Sequence, residues 1–224
     1  MISLFGRVMF VFMVALAVAV NCQAGSGGTL DKVTGKPCSS CHKSKVNGAF
    51  IHDALAEKEC TPCHKADGGD HQNDLTIYAV KDKSAKLCNE CHESQAGKTS
   101  VHPAIEAVEC IGCHLPHSAS NKNLLKTLAP DLCFTCHNRS LVDQKETSTV
   151  TGFREGTQNL HNVHAGKNAI PCLACHDQHA SSQPHLLRPK GMNGKDAVTL
   201  TYTAAPKGGN CTVSCHDALG YERK

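Results

Sequence analysis

The sequence has few of the large aromatic side chains that fill an ordinary protein core. Its 224 residues include no tryptophan, six phenylalanines and three tyrosines. Three of the phenylalanines, Phe5, Phe10 and Phe12, lie in an N-terminal segment that we expect to be removed. The aromatic side chains that remain are too few for a hydrophobic core of about 200 residues. We infer that something other than side-chain hydrocarbon fills the interior.

Long apolar runs are also scarce. The clearest one, residues 8–20, follows Arg7 and precedes Cys22 and Ala24, which are small residues at positions −3 and −1 of a cut after Ala24. This order predicts a secretory signal peptide over residues 1–24. The run is too short for a comfortable transmembrane span, and no second run follows it. The alternatives are an uncleaved anchor and lipidation at Cys22. We therefore expect the mature chain, residues 25–224, in the periplasm or at the outer surface.

Against these absences stand 15 cysteines and 15 histidines. Apart from Cys22, every cysteine belongs to a pair, and every pair is followed directly by a histidine. Six pairs enclose two residues and the seventh encloses three. The seven motifs, in chain order, are Cys38, Cys41 and His42; Cys60, Cys63 and His64; Cys88, Cys91 and His92; Cys110, Cys113 and His114; Cys133, Cys136 and His137; Cys172, Cys175 and His176; and Cys211, Cys215 and His216.

Each motif is typical of covalent haem attachment. The two thiols bind the vinyl groups of one porphyrin, and the histidine binds its iron from the proximal side. Disulfides and zinc sites also use cysteine pairs, but neither requires a histidine after every pair. Chance would place a histidine after all seven pairs with a probability of roughly 10⁻⁸. We therefore expect seven covalently attached haem c groups, the last of them on a rarer, longer motif.

The chain has more histidines than the motifs use. Eight remain after the seven motif histidines, against a single methionine, Met192, beyond the predicted signal peptide. At most one iron could have His/Met ligation, so we expect bis-histidine ligation almost throughout. We expect His185 to be the spare, with His161 as the alternative spare. The expected second ligands are His52, His71, His102, His117, His161, His164 and His179.

The spacing of these histidines repeats. His52, His102 and His164 each lie eight residues before a motif, whereas His117 and His179 each lie three residues after a motif histidine. Residues three apart on a helix share a face, so the latter two should ligate a neighbouring haem rather than their own. The sequence leaves open which second ligand serves which iron.

The same offsets define an internal repeat. The units cover about residues 38–71, 88–117 and 133–179, and a closing half-unit covers 205–217. Residues 139–160 are polar and predict a surface loop in the third unit. Residues 185–210 are rich in Gly, Pro and Lys and predict a second irregular connection.

The predicted fold is mostly irregular, with short α-helices, especially after each motif, and minimal β structure. It is a multihaem cytochrome c architecture built around a chain of covalently bound haems. Because the porphyrins would form the apolar core, folding should depend on their attachment.

The chain resembles the doubled C-x-x-C-H family of multihaem cytochromes. The resemblance is closest from Cys110 to His117, in Leu124 and Leu125, and from Leu132 to His137, and it recurs from His161 to His179. Gly208, Gly209 and Asn210 before the last motif add to it. It implies periplasmic or outer-surface electron transfer through bis-histidine haems. His71 departs from the pattern, since it follows its motif histidine by seven residues rather than three.

Two function classes follow. The first is a non-enzymatic electron carrier, whose partners would be other cytochromes, quinol-linked redox proteins, an outer-membrane conduit or further copies in a homopolymer. The second is a reductase of a small nitrogen or sulfur oxyanion at one open iron. The number of spare histidines favours the carrier, because it allows every iron to be capped. No basic run or aromatic platform indicates nucleic acid binding.

Overall fold

The computed structural model describes residues 36–55, 60–66 and 78–223. The signal peptide predicted over residues 1–24 and the ligand predicted at His71 lie outside these ranges. Within them, no helix combines the length and apolar character needed to cross a membrane.

The α-helices are short and coincide with the motifs more often than they follow them. In the first motif the N–H of His42 donates to the carbonyl of Cys38 at 2.9 Å, and in the sixth His176 donates to Cys172 at 2.9 Å. One closed turn therefore presents both thiols and the histidine together. The prediction of helices after each motif is wrong in this respect. The α-helices are α1 (Cys38–Cys41), α2 (Ala85–Asn89), α3 (Ala104–Ala107), α4 (Ser140–Asp143) and α5 (Cys172–Cys175).

Single turns of other helix types complete the helical content. Two of them, Cys110–Gly112 and Cys133–Thr135, again lie on motifs. A π-helical turn covers Asn162–Lys167. The remaining 3₁₀ turns are Lys43–Val46, Asp53–Leu55, Lys122–Leu124 and Pro184–Leu186.

Most strands are two or three residues long and form two-stranded antiparallel sheets. The pairs are β1 (Phe50–Ile51) with β5 (Ser118–Ala119), β2 (His64–Ala66) with β3 (Tyr78–Val80), β4 (Ser100–Val101) with β8 (Ala180–Ser181), and β6 (Arg154–Glu155) with β7 (Gln158–Asn159). Together with the short helices, they confirm a mostly irregular fold of short elements.

The C-terminal part contains a larger sheet that the sequence analysis missed. Its order is β12-β11-β10-β9, formed by β9 (Lys190–Asn193), β10 (Asp196–Ala205), β11 (Gly208–Val213) and β12 (His216–Glu222). The prediction of an irregular connection over residues 185–210 is therefore wrong. Val198 and Leu200 alternate with polar residues in β10 and are both 5% exposed, so one face of this strand is buried.

Few apolar side chains are buried in the described part of the chain. Those below the surface are Ala119, Ala174, Val198 and Leu200. This agrees with an interior that side-chain hydrocarbon does not fill by itself.

Candidate functional site

Two of the small sheets join successive repeat units and place histidines side by side. The β1–β5 pair brings His52 next to His117, and the His52 N–H donates to the His117 carbonyl at 2.9 Å. The β4–β8 pair does the same one unit later, where the His102 N–H donates to the His179 carbonyl at 2.8 Å. We call these two junctions the rungs. Each rung holds one histidine that precedes a motif and one that follows a motif.

The histidine rings then meet across units in pairs. Among the described residues, six motif histidines each face one of the predicted second ligands. The pairs, with the distance between ring centroids, are His52 and His92 at 5.9 Å, His64 and His117 at 6.0 Å, His102 and His137 at 6.1 Å, His114 and His179 at 6.0 Å, His161 and His176 at 6.2 Å, and His164 and His216 at 6.4 Å.

These distances fit one metal ion between two imidazoles. A metal–imidazole nitrogen bond of about 2.0 Å places the ring centroid about 3 Å from the metal, so two opposed ligands have centroids about 6 Å apart. All six pairs lie close to that value. The angle between ring planes varies from 10° for His64 and His117 to 78° for His52 and His92, which a shared axial metal permits.

The pairing is crossed. His117 faces His64 of the preceding unit rather than His114, and His179 faces His114 rather than His176. The histidines that precede a motif point the other way along the chain. Each of them faces the first motif histidine of the next unit. His52 faces His92 in the second unit, His102 faces His137 in the third, and His164 faces His216 in the closing half-unit.

Backbone carbonyls orient several of the motif histidines. Nδ1 of His114 lies 2.8 Å from the Asn123 carbonyl oxygen, and Nδ1 of His176 lies 3.1 Å from that of His185. A proton on Nδ1 that is donated to a carbonyl leaves Nε2 free to bind a metal. Asn123 and His185 both have positive φ, 58° and 59°, so they occupy equivalent positions of two equivalent loops.

His185 faces none of the motif histidines in the six ring pairs. Its carbonyl lies 3.1 Å from Nδ1 of His176, and its own ring contacts Tyr202 with centroids 5.5 Å apart. The sequence signal was present, because the segments 113–126 and 175–188 align without a gap and put His185 opposite Asn123.

An ion pair stabilises the second of these loops. The Arg188 guanidinium donates to Asp177 Oδ2 at 3.2 Å and to the Leu173 carbonyl at 3.1 Å. Burial tends to raise the pKa of the Asp177 carboxyl, but the N–H groups of His179 and Ala180 and the Arg188 guanidinium outweigh it and lower that pKa. The ionised carboxylate thus fixes the turn that carries His179.

Burial favours the neutral form of four of the predicted second ligands. It is the largest effect on His161, whose pKa falls to about 4, with smaller contributions from His176 and His164. Burial likewise lowers the pKa of His102, His117 and His179. A neutral imidazole is the form that binds a metal.

The motif cysteines are all free thiols in the described residues, so these pairs form no disulfides there. No group of three or more His, Cys, Asp or Glu side chains converges on a common point in the same part of the chain. In every motif the first thiol is half-buried, as Cys38 is, while the second is exposed in five of the seven. Such thiols are accessible to a bulky group.

In the second and third units, the first thiols of the two motifs lie close together. Burial and a hydrogen bond with the Cys110 thiol raise the pKa of Cys88 to about 11. A hydrogen bond with the Cys172 thiol, together with burial, raises the pKa of Cys133. The two attachment points within the second unit therefore meet, and so do the two within the third.

The seventh motif has a different backbone from the others. It lies in the hairpin of β11 and β12, with an irregular register between Cys211 and Val213. Val213 pairs with His216, so Cys215 lies in the turn between the strands. The extra residue of this motif is thus accommodated by sheet rather than by a helical turn.

The chain matches a family model for the doubled CXXCH motif in three segments. These are residues 52–97, 102–141 and 161–196, which together make up more than half of the chain. The chain belongs to the doubled CXXCH motif family. It is therefore a multihaem c-type cytochrome with covalently bound haem c, and electron transfer is the activity that this family indicates. The first and seventh motifs of the cytochrome lie outside the matched segments. No curated protein matches its sequence.

Proposed function

We propose that this cytochrome carries seven haem c groups and transfers electrons between redox partners in the periplasm or at the outer surface. The observation that carries the proposal is the set of six histidine pairs with centroids 5.9–6.4 Å apart. Haem supplies one-electron oxidation and reduction at its iron.

The protein residues have three tasks in this proposal. The fourteen motif cysteines hold the porphyrin edges, which fixes each group without reliance on a packed apolar pocket. The seven motif histidines bind the irons from one side, and the histidines across from them bind from the other. For His42, whose partner is not among the described pairs, His71 is the candidate that remains. With both axial positions filled, no position is open to a substrate, which favours a carrier over a reductase.

The thiol contacts support a continuous path through the chain. Cys88 meets Cys110, and Cys133 meets Cys172. An electrostatic interaction with Cys63 raises the pKa of Cys88, and one with Cys113 raises the pKa of Cys133. Because such interactions need short distances, successive units lie near each other. From the second to the sixth motif, attachment sites that are neighbours in sequence are therefore neighbours in space, and electrons would pass along this part of the chain in sequence order.

The test is intact mass together with EPR of the fully oxidised protein. We expect a mass that corresponds to seven attached haems, and only low-spin ferric signals because every iron has two histidine ligands. A high-spin signal equivalent to one haem would contradict the carrier proposal. It would direct attention to reduction of small nitrogen or sulfur oxyanions.

A further inference from the structure

The two rungs follow one rule. In each, the histidine that precedes a motif faces forward, to the first motif of the next unit, as His52 faces His92. The histidine that follows a motif faces backward, to the second motif of the previous unit, as His117 faces His64. The second rung repeats both relations with His102 and His179. By this rule, the second motif of each unit takes its ligand from the unit that follows.

At the C-terminal end this requirement fails. His164 faces forward, as His52 and His102 do, and its partner is His216 in the closing half-unit. That half-unit contains a single motif and no histidine three residues after His216. His176 therefore has no backward ligand of the kind that serves His64 and His114. The ring that faces it is His161, at 6.2 Å and 25°.

His161 belongs to a segment that the first two units lack. In those units the motif histidine and the forward ligand are ten residues apart (42 to 52 and 92 to 102), whereas in the third they are residues 137 and 164. The third unit thus has 17 extra residues in this interval, and most of the interval is the stretch 139–160, predicted as a surface loop. It is instead an ordered structure with α4 and the β6–β7 hairpin, and it contains the buried residues Thr147 and Asn159. The loop prediction is wrong for this reason.

Asn159 ties this segment to the ligand. Its side chain is fully buried, at 0% exposure. Its Nδ2 donates to the carbonyls of Leu141 at 3.0 Å and Gln144 at 2.8 Å. Its Oδ1 accepts from the N–H of His161 at 3.0 Å. One amide group thus anchors the backbone of His161 to the turn after α4.

Two further contacts fix the ring of His161. Thr151 Oγ1 lies 3.1 Å from Nδ1, which leaves Nε2 as the metal-binding nitrogen. Phe153 contacts both His161 and His164, with centroid distances of 5.2 Å and 5.6 Å. His161 directly precedes the π-helical turn Asn162–Lys167 and His164 lies within it; turns of this type often occur at functional sites. From this one short segment the two rings face two different motif histidines, His176 and His216.

We infer that residues 139–161 form an end cap of the haem array, in which His161 replaces the ligand that a further repeat unit would supply. The inference rests on the proposed haem ligation and deepens it. Asn159 is the positioning residue of the cap. At this end the array needs no ligand from a second copy of the chain, so ligation does not require a homopolymer.

The first experiment compares His161→Ala with the unsubstituted holoprotein. We expect both to have seven attached haems by intact mass. The oxidised variant should gain a high-spin EPR signal equivalent to about one haem, and added imidazole should return it to low spin. A variant with seven haems and an entirely low-spin spectrum would overturn the inference, because another residue or another copy would then supply the ligand.

A second variant covers the case in which His161→Ala binds fewer haems. His161→Met keeps a ligand at the same position, and His/Met ligation raises the potential of an iron. We expect one haem of this variant to titrate at a higher potential than it does in the unsubstituted holoprotein. An unchanged set of potentials would also overturn the inference.

The positioning role has its own matched pair, Asn159→Ala and the exposed neighbour Gln158→Ala. Asn159→Ala should show part of the high-spin EPR signal expected for His161→Ala, and imidazole should reverse it. Gln158→Ala should show no high-spin signal. If Asn159→Ala has the spectrum of the unsubstituted protein, the cap does not position His161. If the unsubstituted protein has fewer than seven haems, that result counts against the proposed function. The spin state of the His161→Ala variant still shows whether His161 is a ligand.

Discussion

The rings of His64 and His117 lie 10° from parallel with their centroids 6.0 Å apart, although they belong to different repeat units. Their separation leaves space for one metal ion between two nitrogen ligands. The backbone of His117 is fixed by the rung to His52. A single short sheet thus determines a ligand geometry across two units.

Replacement of His117 tests this relationship. In His117→Ala we expect the mass to show all haems in place, because the cysteines are unchanged, and the EPR spectrum to gain a high-spin signal equivalent to about one haem. His185→Ala is the control and should leave the spectrum unchanged, since its ring contacts Tyr202. The reverse result, a spin change only in the His185 variant, would show that the ligand assignment is wrong.

The backbone at His185 predicts which side chains it tolerates. Its φ of 59° is in the left-handed region, which Asn and Gly adopt easily and β-branched residues do not. We expect His185→Asn to retain full stability and His185→Val to lose about 1–3 kcal/mol in the free energy of unfolding. Denaturant titration of the two holoproteins measures the difference. Equal midpoints for both variants would contradict the equivalence of His185 with Asn123.

Gly166 allows close approach of the ligand-bearing turn to α4. A Cβ at this position would lie 2.2 Å from the Val142 carbonyl oxygen, so Gly166→Ala must displace the turn. We expect a loss of about 1–3 kcal/mol in stability. Gly97→Ala is the comparison, because its φ is 81° but nothing lies within 4 Å of the added carbon, and backbone strain alone should cost about 1 kcal/mol. A smaller loss at Gly166 than at Gly97 would show that the turn adapts freely.

The two arginine ion pairs should differ in their contribution to stability. Arg188 and Asp177 are 24% and 27% exposed, whereas Arg139 and Asp131 are 58% and 69% exposed. Loss of a partly buried, hydrogen-bonded guanidinium costs about 1–3 kcal/mol, and an exposed pair contributes about 0–1 kcal/mol. Thermal unfolding of Arg188→Ala and Arg139→Ala should therefore show the larger decrease in Tm for the former. Similar decreases would mean that the Arg188 pair is screened like a surface pair.

The seventh motif predicts one attached haem despite its longer spacing. In the double variant Cys211→Ser/Cys215→Ser we expect the intact mass to fall by about one haem relative to the unsubstituted protein, because neither thioether bond of this motif can form. Cys22 gives a useful comparison, since Cys22→Ser should leave the haem count unaltered. A double variant with an unchanged haem count would show that the β11–β12 hairpin holds no porphyrin.

Sequence spacing predicted the motifs, the second-ligand candidates and the short, irregular elements, because covalent chemistry fixes the distance between residues that share one cofactor. It could not pair His161 with His176, since that contact depends on a segment with no counterpart in the other units. Two errors had visible signals. The alternation of Val198 and Leu200 with threonines indicates a strand, and the alignment of His185 with Asn123 indicates a turn position. The buried Asn159 had no such signal, because polar sequence alone does not separate a loop from an ordered cap.

The crossed rungs also determine how an array of this kind can change length. If residues 88–132 were duplicated in tandem, the new His102 would face the unit after it and the new His117 the unit before it, so that every histidine would still find a partner. Insertion of half a unit would leave histidines mismatched on both sides of the junction. The chain can thus lengthen or shorten only by whole repeats, while both ends stay as they are. Tandem duplication within the coding sequence is the simplest genetic event that adds a whole repeat unit.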